Sequence, residues 1–200
     1  PGGEIDLCGH ATLAAAYVIL NFFEKKKENL EFDTMSGRIS VTKNDDVYEI
    51  DMPESKLVSV PVTDQMEEAL GARPVEAFLG RDLLCVFEKE ENVINIRPKK
   101  KKLIGLDGLV THVTAPSESK KYDCVSRSFA PKCKISEDPV SGAAYCLTAP
   151  YWFRRLNKNI MVARQASKRG GTVYCKTLKK GRVILCGKAV LYSEGEIFVD

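Results

Sequence analysis

Glu137-Asp138-Pro139-Val140-Ser141-Gly142-Ala143-Ala144, read beside Leu7-Cys8-Gly9-His10-Ala11-Thr12-Leu13, decides the architecture of this chain. Each stretch places a small-residue turn immediately before a run that reads as helix, so one motif is written twice. With Gly9 set against Gly142, other features fall into step. Pro1 and Pro131 precede the paired glycines, and a helical run follows each. Ser36-Gly37-Arg38-Ile39-Ser40-Val41 and Ser167-Lys168-Arg169-Gly170-Gly171-Thr172-Val173 open strand-like segments about 28 residues downstream. Identity is low but order is constant, the pattern of an internal duplication at long period.

About sixty residues, from Gly71 to Ala130, stand ahead of the second copy and read as strands and loops of the same unit. Nothing stands ahead of the first copy, so the chain is expected to lack a half-domain's worth of N-terminal sequence. The expected organisation is a first half over residues 1–68 and a second over residues 69–200.

With 44% hydrophobic residues, the 200-residue chain can bury the core of one large or two small domains. A net charge of +3 is modest, and the Lys-rich stretches at 24–28 and 99–102 carry no interleaved aromatics. Both read as solvated turns or helix ends, which argues against a nucleic-acid partner. No apolar run is long enough to cross a bilayer and no signal peptide is visible, so a cytoplasmic protein without a membrane partner is expected. The cysteines, Cys8, Cys85, Cys124, Cys133, Cys146, Cys175 and Cys186, are odd in number and lack Cys-x-x-Cys spacing. They read as reduced thiols, and no metal site is expected.

Residues 11–23 are apolar on every side, as in a helix enclosed by protein. Its walls are expected to be strands at 30–33, 37–42 and 47–52, with a hairpin turn at 43–46. An extended connector at 55–63 and a short helix at 64–70 follow. The second unit reads as strands at 75–79, 83–87, 93–96 and 109–114, a helix at 143–156, then strands at 160–163, 171–177, 182–191 and 197–199. Pro150 lies inside that helix and is expected to kink or restart it near Cys146. The fold class is therefore α+β: two pseudo-symmetric halves, each a curved, mostly antiparallel sheet around a central helix.

A helix start presents unpaired N–H groups and the positive end of its dipole, so two facing starts would hold a carboxylate. Glycine permits close backbone approach, while Thr12 and Ser141 add hydroxyls that serve either as ligand contacts or as ordinary caps. His10, at a helix start, is placed for proton transfer, although a lone histidine equally serves structure. His112, in an apparent strand with no motif, is assigned a structural role. Asp138 beside Glu137 is either an acid/base group or a charge feature of helix entry. Cys8, at a helix N-terminus, is either a reactive thiol or a packing residue.

At these residues the chain resembles the PhzF-like family, named for phenazine biosynthesis, within the diaminopimelate epimerase-like fold. Residues 4–14 look like that family's glycine-histidine motif and Glu137-Asp138-Pro139-Val140-Ser141-Gly142 like its second motif. Arg127-Ser128-Phe129-Ala130-Pro131 and Lys168-Arg169-Gly170-Gly171 match in order, so the resemblance covers essentially the whole chain.

It implies a homodimeric isomerase that needs no cofactor and moves a proton on a small carboxylate-bearing substrate in a cleft between the halves. The family's catalytic histidine and aspartate carry over to His10 and Asp138, and its substrate-facing turns to Gly9 and Gly142. With Thr12, Ser141 and Ala143 these form the expected binding set. The family's main proton shuttle is a glutamate upstream of the glycine-histidine motif, to which no residue here corresponds. Where the family often has a serine after the second glycine, this chain has Ala143; Pro150 is a second departure. Related racemases use two cysteines at the paired turns, but Ser141 occupies the second place here. The rival readings are a non-catalytic binding or scaffold protein and a cysteine-dependent racemase working through Cys8.

Overall fold

The first motif opens α1 (Gly9–Val18), which continues as a π-wound turn at Ile19–Phe23. Period-two alternation then builds β1 (Asn29–Thr34), β2 (Gly37–Asn44) and β3 (Val47–Pro53) as an antiparallel meander. Ile39, Val41, Tyr48, Ile50 and Met52 are buried on its inner face. The computed structural model describes residues 4–178 and 181–198, so Pro1 and Val199 of the expectations lie outside the described residues.

Next come β4 (Val58–Val60), α2 (Asp64–Leu70), β5 (Glu76–Leu79), β6 (Leu83–Val86), α3 (Glu90–Asn95) and α4 (Lys100–Ile104). They lead to β7 (Thr111–Pro116), β8 (Cys124–Phe129), α5 (Gly142–Leu156), β9 (Ile160–Gln165), β10 (Gly171–Lys176) and β11 (Arg182–Gly187). Among the described residues the strands form one 11-stranded sheet ordered β1-β2-β3-β11-β10-β9-β8-β7-β6-β5-β4. β6–β7 and β8–β9 pair in parallel and the other named neighbours antiparallel, giving the expected α+β class with an open, mostly antiparallel sheet.

Half of this order is a palindrome. The succession α1-β1-β2-β3 repeats as α5-β9-β10-β11, and the last strands of the two copies pair with each other. In that ladder Asp51 faces Ile184, and the same interval along the chain separates Gly9 from Gly142 and Gly37 from Gly170. Corresponding residues thus meet across an approximate two-fold axis. Gly37 and Gly170, with φ of 91° and 73°, make the same left-handed turn into β2 or β10, which glycine adopts without strain.

The two helices are not equally covered. α5 lies in the curl of the sheet with Tyr145, Leu147, Trp152 and Phe153 buried, and Leu84 and Val86 of β6 belong to its core. Leu83 and Cys85 belong to a second core with α2, α3 and α4, so β6 is buried on both faces. Burial pushes the Cys85 and Cys146 thiols up to about 12, so these are packing groups. α1 packs against β3 and the start of α5 but leaves Ala11, Ala14, Ala15 and Val18 exposed, as is Phe22 in the π-wound turn, against the expectation of a fully enclosed helix.

Other expectations need correction. Residues 93–95, read as strand, end α3, because a short apolar run has no decisive period. β8 and α4 were not anticipated. β11 stops at Gly187, opposite Tyr48 near the start of β3, because the ladder runs out of partner; residues 188–191 and 197–198 form no strand. Pro150 does not restart α5, which is helical from Gly142 to Leu156. Proline cannot donate to the carbonyl four residues back, Cys146, and the connector supplies the missing donor: Ser55 N–H reaches Cys146 O at 2.9 Å. The Ser55 amide should therefore show hydrogen-exchange protection well above that of Lys56 and Leu57, which lie outside regular structure. An unprotected Ser55 would show that the Cys146 carbonyl is left without this partner.

Candidate active site

The paired motifs meet backbone to backbone. A Cβ built on Gly9 would stand 3.1 Å from Gly142 Cα, and one built on Gly142 would stand 3.1 Å from Gly9 Cα. The N-termini of α1 and α5 consequently open onto common space, where one cavity of about 530 Å³ and another of about 240 Å³ share Gly9, His10, Ile135, Asp138 and Gly142 as lining. Leu13, Ile50, Val140, Val173 and Leu185 give the larger cavity an apolar wall, and Arg169 brings a guanidinium. Cys8, Ser141 and Ala143 line the smaller one.

Asp138 is held by β8 and by its own loop. Its N–H donates to Ser128 O at 2.9 Å, and its Oδ1 accepts the Val140 N–H at 3.2 Å. On either side of this bond, Arg127 grips Glu137 with Nε–Oε1 of 2.7 Å and Nη2–Oε2 of 3.0 Å, a bidentate pair. Arg127 Nη1 also donates to Val93 O, Ile94 O and Ile96 O, satisfying carbonyls at the end of α3. Glu137 is thus a structural clamp, and Asp138 is the carboxylate of the pair that lines both cavities.

His10 is exposed and lines both cavities. Ser141 caps α5 by accepting the Ala144 N–H at 3.4 Å while lining the smaller cavity. Thr12 is turned elsewhere: its hydroxyl donates to Cys8 O at 2.6 Å, and it is absent from the lining of both cavities. Among the described residues no group of three or more His, Cys, Asp or Glu is placed to hold a metal ion.

Beside Asp138 lies a buried polar network whose Asp82 and His112 belong to no motif. His112 Nε2 is 3.2 Å from Asp82 Oδ2 and its Nδ1 is 3.0 Å from Ser128 Oγ; Asp82 and Ser128 are 0% exposed and His112 is 1% exposed. Asp82 also accepts from Arg81 Nη1 at 2.8 Å and from Val110 N–H at 3.1 Å. Burial pushes the Asp82 carboxyl up, but the hydrogen bond and charge of His112, the Arg81 charge and the Val110 N–H outweigh it and hold the group below the usual carboxylate range. Sequence reading missed this set because Asp82, His112 and Ser128 come from separate segments joined only by sheet register.

A model of the phenazine biosynthesis-like protein family, PhzC-PhzF, matches residues 1–195. This chain belongs to that family. An uncharacterized isomerase of Pseudomonas aeruginosa is 42% identical over 98% of this chain and 75% of its own length. The mouse phenazine biosynthesis-like domain-containing protein 1 is 33% identical over the same shares of the two chains. A crystal structure of a phenazine biosynthesis protein of the PhzF family from Enterococcus faecalis matches with a TM-score of 0.90 at 44% identity, covering 100% of this chain and 76% of that one. A predicted epimerase of Pseudomonas aeruginosa, 14% identical with a TM-score of 0.71, shares the fold. The family is thus one of isomerases with a diaminopimelate epimerase-like fold. No helix among the described residues is long and apolar enough to cross a membrane.

Two outcomes test this geometry. At a helix start Gly→Ala ordinarily stabilises by up to about 1 kcal/mol, so Gly142→Ala reads the close contact by its sign. It should instead cost about 1–3 kcal/mol by urea unfolding, with Gly9→Ala plus Gly142→Ala costing more than the sum of the singles. The second concerns acid. Because Asp82 is held low in the folded state, the stability it contributes is complete above the unfolded value of about 3.9 and is lost as pH falls through the lower folded value. Asp82→Asn should therefore be less stable than wild type by about 3–5 kcal/mol at pH 7, a gap that narrows below about pH 4 in urea titrations.

Proposed function

We propose that this protein is a PhzF-like isomerase that moves a proton on a small carboxylate-bearing molecule without a cofactor, as a homodimer, using His10 and Asp138. The observation that carries this reading is the Gly9–Gly142 contact, which sets two helix N-termini and both titratable side chains around the same space. Free N–H groups and the positive ends of α1 and α5 suit a substrate carboxylate. The same donors oppose negative charge where it develops when a proton leaves the adjacent carbon. Asp138, anchored at its amide and at one carboxylate oxygen, and His10 are the groups of this chain that handle that proton, assisting the upstream glutamate that the resemblance implies as main shuttle. The apolar wall of the larger cavity, whose volume suits a small molecule, limits water around the reacting carbon.

The test is solvent exchange. Small carboxylic acids incubated with the protein in D₂O should gain deuterium at the carbon next to the carboxylate. Asp138→Asn should slow this by about 10²–10⁴-fold and His10→Gln by at least about tenfold, with unfolding midpoints unchanged. Equal exchange in wild type and both variants would overturn the assignment. Acids that bind with no wash-in would establish a binding protein in its place.

A further inference from the structure

We propose that a polar chain, Asp6–Arg81–Asp82–His112–Ser128, half-buried at Asp6 and Arg81 and buried from Asp82 onward, positions Asp138 relative to the turn that bears His10. The inference rests on the acid/base reading of Asp138 and adds a positioning role for Arg81, Asp82 and His112, which lie in no motif, and for Asp6 and Ser128, which lie in motifs that give them no role. The links are continuous. Ser36 Oγ donates to Asp6 Oδ2 at 3.2 Å, and Arg81 Nε donates to Asp6 Oδ1 at 2.8 Å. Arg81 Nη1 reaches Asp82, Asp82 faces one nitrogen of His112, and the other nitrogen faces Ser128 Oγ. The Ser128 carbonyl takes the Asp138 N–H. One end of the chain is thus three residues before Gly9, and the other is the backbone of Asp138 itself.

Three observations favour positioning over direct chemistry. Both His112 nitrogens are engaged, so the ring lines the smaller cavity without a nitrogen free for a ligand. Ser128 is fully enclosed and its Oγ also accepts from Gln165 Nε2 at 3.3 Å, so it is held from two sides. Gln165 Oε1 in turn accepts from Ser126 and Tyr145, anchoring this point to β8 and α5. Finally, stability alone does not call for such a chain, since well-packed apolar residues commonly replace buried ion pairs at no loss. What the charged version adds is direction: each bond fixes the next group's orientation, and both ends are the paired motifs.

Ser128→Ala tests the chain at its most local point, because it deletes the hydroxyl and keeps the carbonyl that holds Asp138. Amide exchange by NMR, without substrate, should rise about tenfold or more at Asp138 and Val140, and the His112 Nδ1 resonance should shift. Amides in the middle of α5 should stay within twofold of wild type. A merely structural role would instead raise exchange throughout in proportion to lost stability, as in the control Ile39→Val, whose buried side chain lies outside the chain of contacts. Arg81→Lys gives a second cut, since one ammonium cannot make the forked contacts to Asp6 and Asp82, and should accelerate exchange around Gly9 as well as at Asp138. Uniform acceleration, or unchanged exchange at Asp138 in both variants, would overturn the proposal. Neither result bears on turnover, so failure here is separable from failure of the acid/base assignment, which Asp138→Asn reads directly.

Discussion

A contact with no side chain in it, Gly9 against Gly142, sets the terms for the rest of the molecule. Two helices can aim their positive ends into one space only if nothing stands between their first turns, and here even a methyl would crowd the opposite backbone. Convergence of like dipole ends carries a cost: two half-charges about 5 Å apart at a protein-like dielectric repel by about 1 kcal/mol. The β3–β11 ladder, six residue pairs from Arg182–Pro53 to Gly187–Tyr48, holds the two copies together and offsets that repulsion. An anion placed between the two helix starts would relieve that repulsion.

Rigidity around this contact is distributed unevenly, and the distribution follows the chemistry. The loop bearing Asp138 is tied at Glu137 by Arg127 and at its own amide by Ser128, both from β8, whose residues are all buried. Arg127 simultaneously closes the end of α3, so a single side chain joins a short helix, a central strand and the second motif. His10 sits instead on the exposed first turn of a helix whose outer face is open.

Much of this was legible from residue order. The duplication, the two glycine turns, α2 and the strands from Leu30 to Met52 followed from periodicity and turn chemistry, which are local. His10 and Asp138 became candidates on other grounds, the resemblance to the PhzF-like motifs. What escaped was decided at a distance. α3 has too few residues for its period to show, and its end is satisfied by Arg127, more than thirty positions away. Pro150 was read correctly as a missing donor but wrongly as a break, because the replacement donor, Ser55, lies in another segment. Thr12 has a hydroxyl at the right place in the motif, but its own turn offers the Cys8 carbonyl first. His112 carried no motif, and only the pairing of β7 with β8 sets it against Ser128.

The approximate two-fold axis also has a chemical counterpart in what it fails to repeat. The interval that carries Gly9 to Gly142 carries His10 to Ala143 and Ile5 to Asp138. One turn therefore offers an imidazole where its mate has a bare methyl, and the other a carboxylate where its mate has an aliphatic chain. The backbone frame treats the two ends of the cleft as interchangeable, whereas the side chains give it a head and a tail, so a molecule lying across the axis is not free to bind end over end.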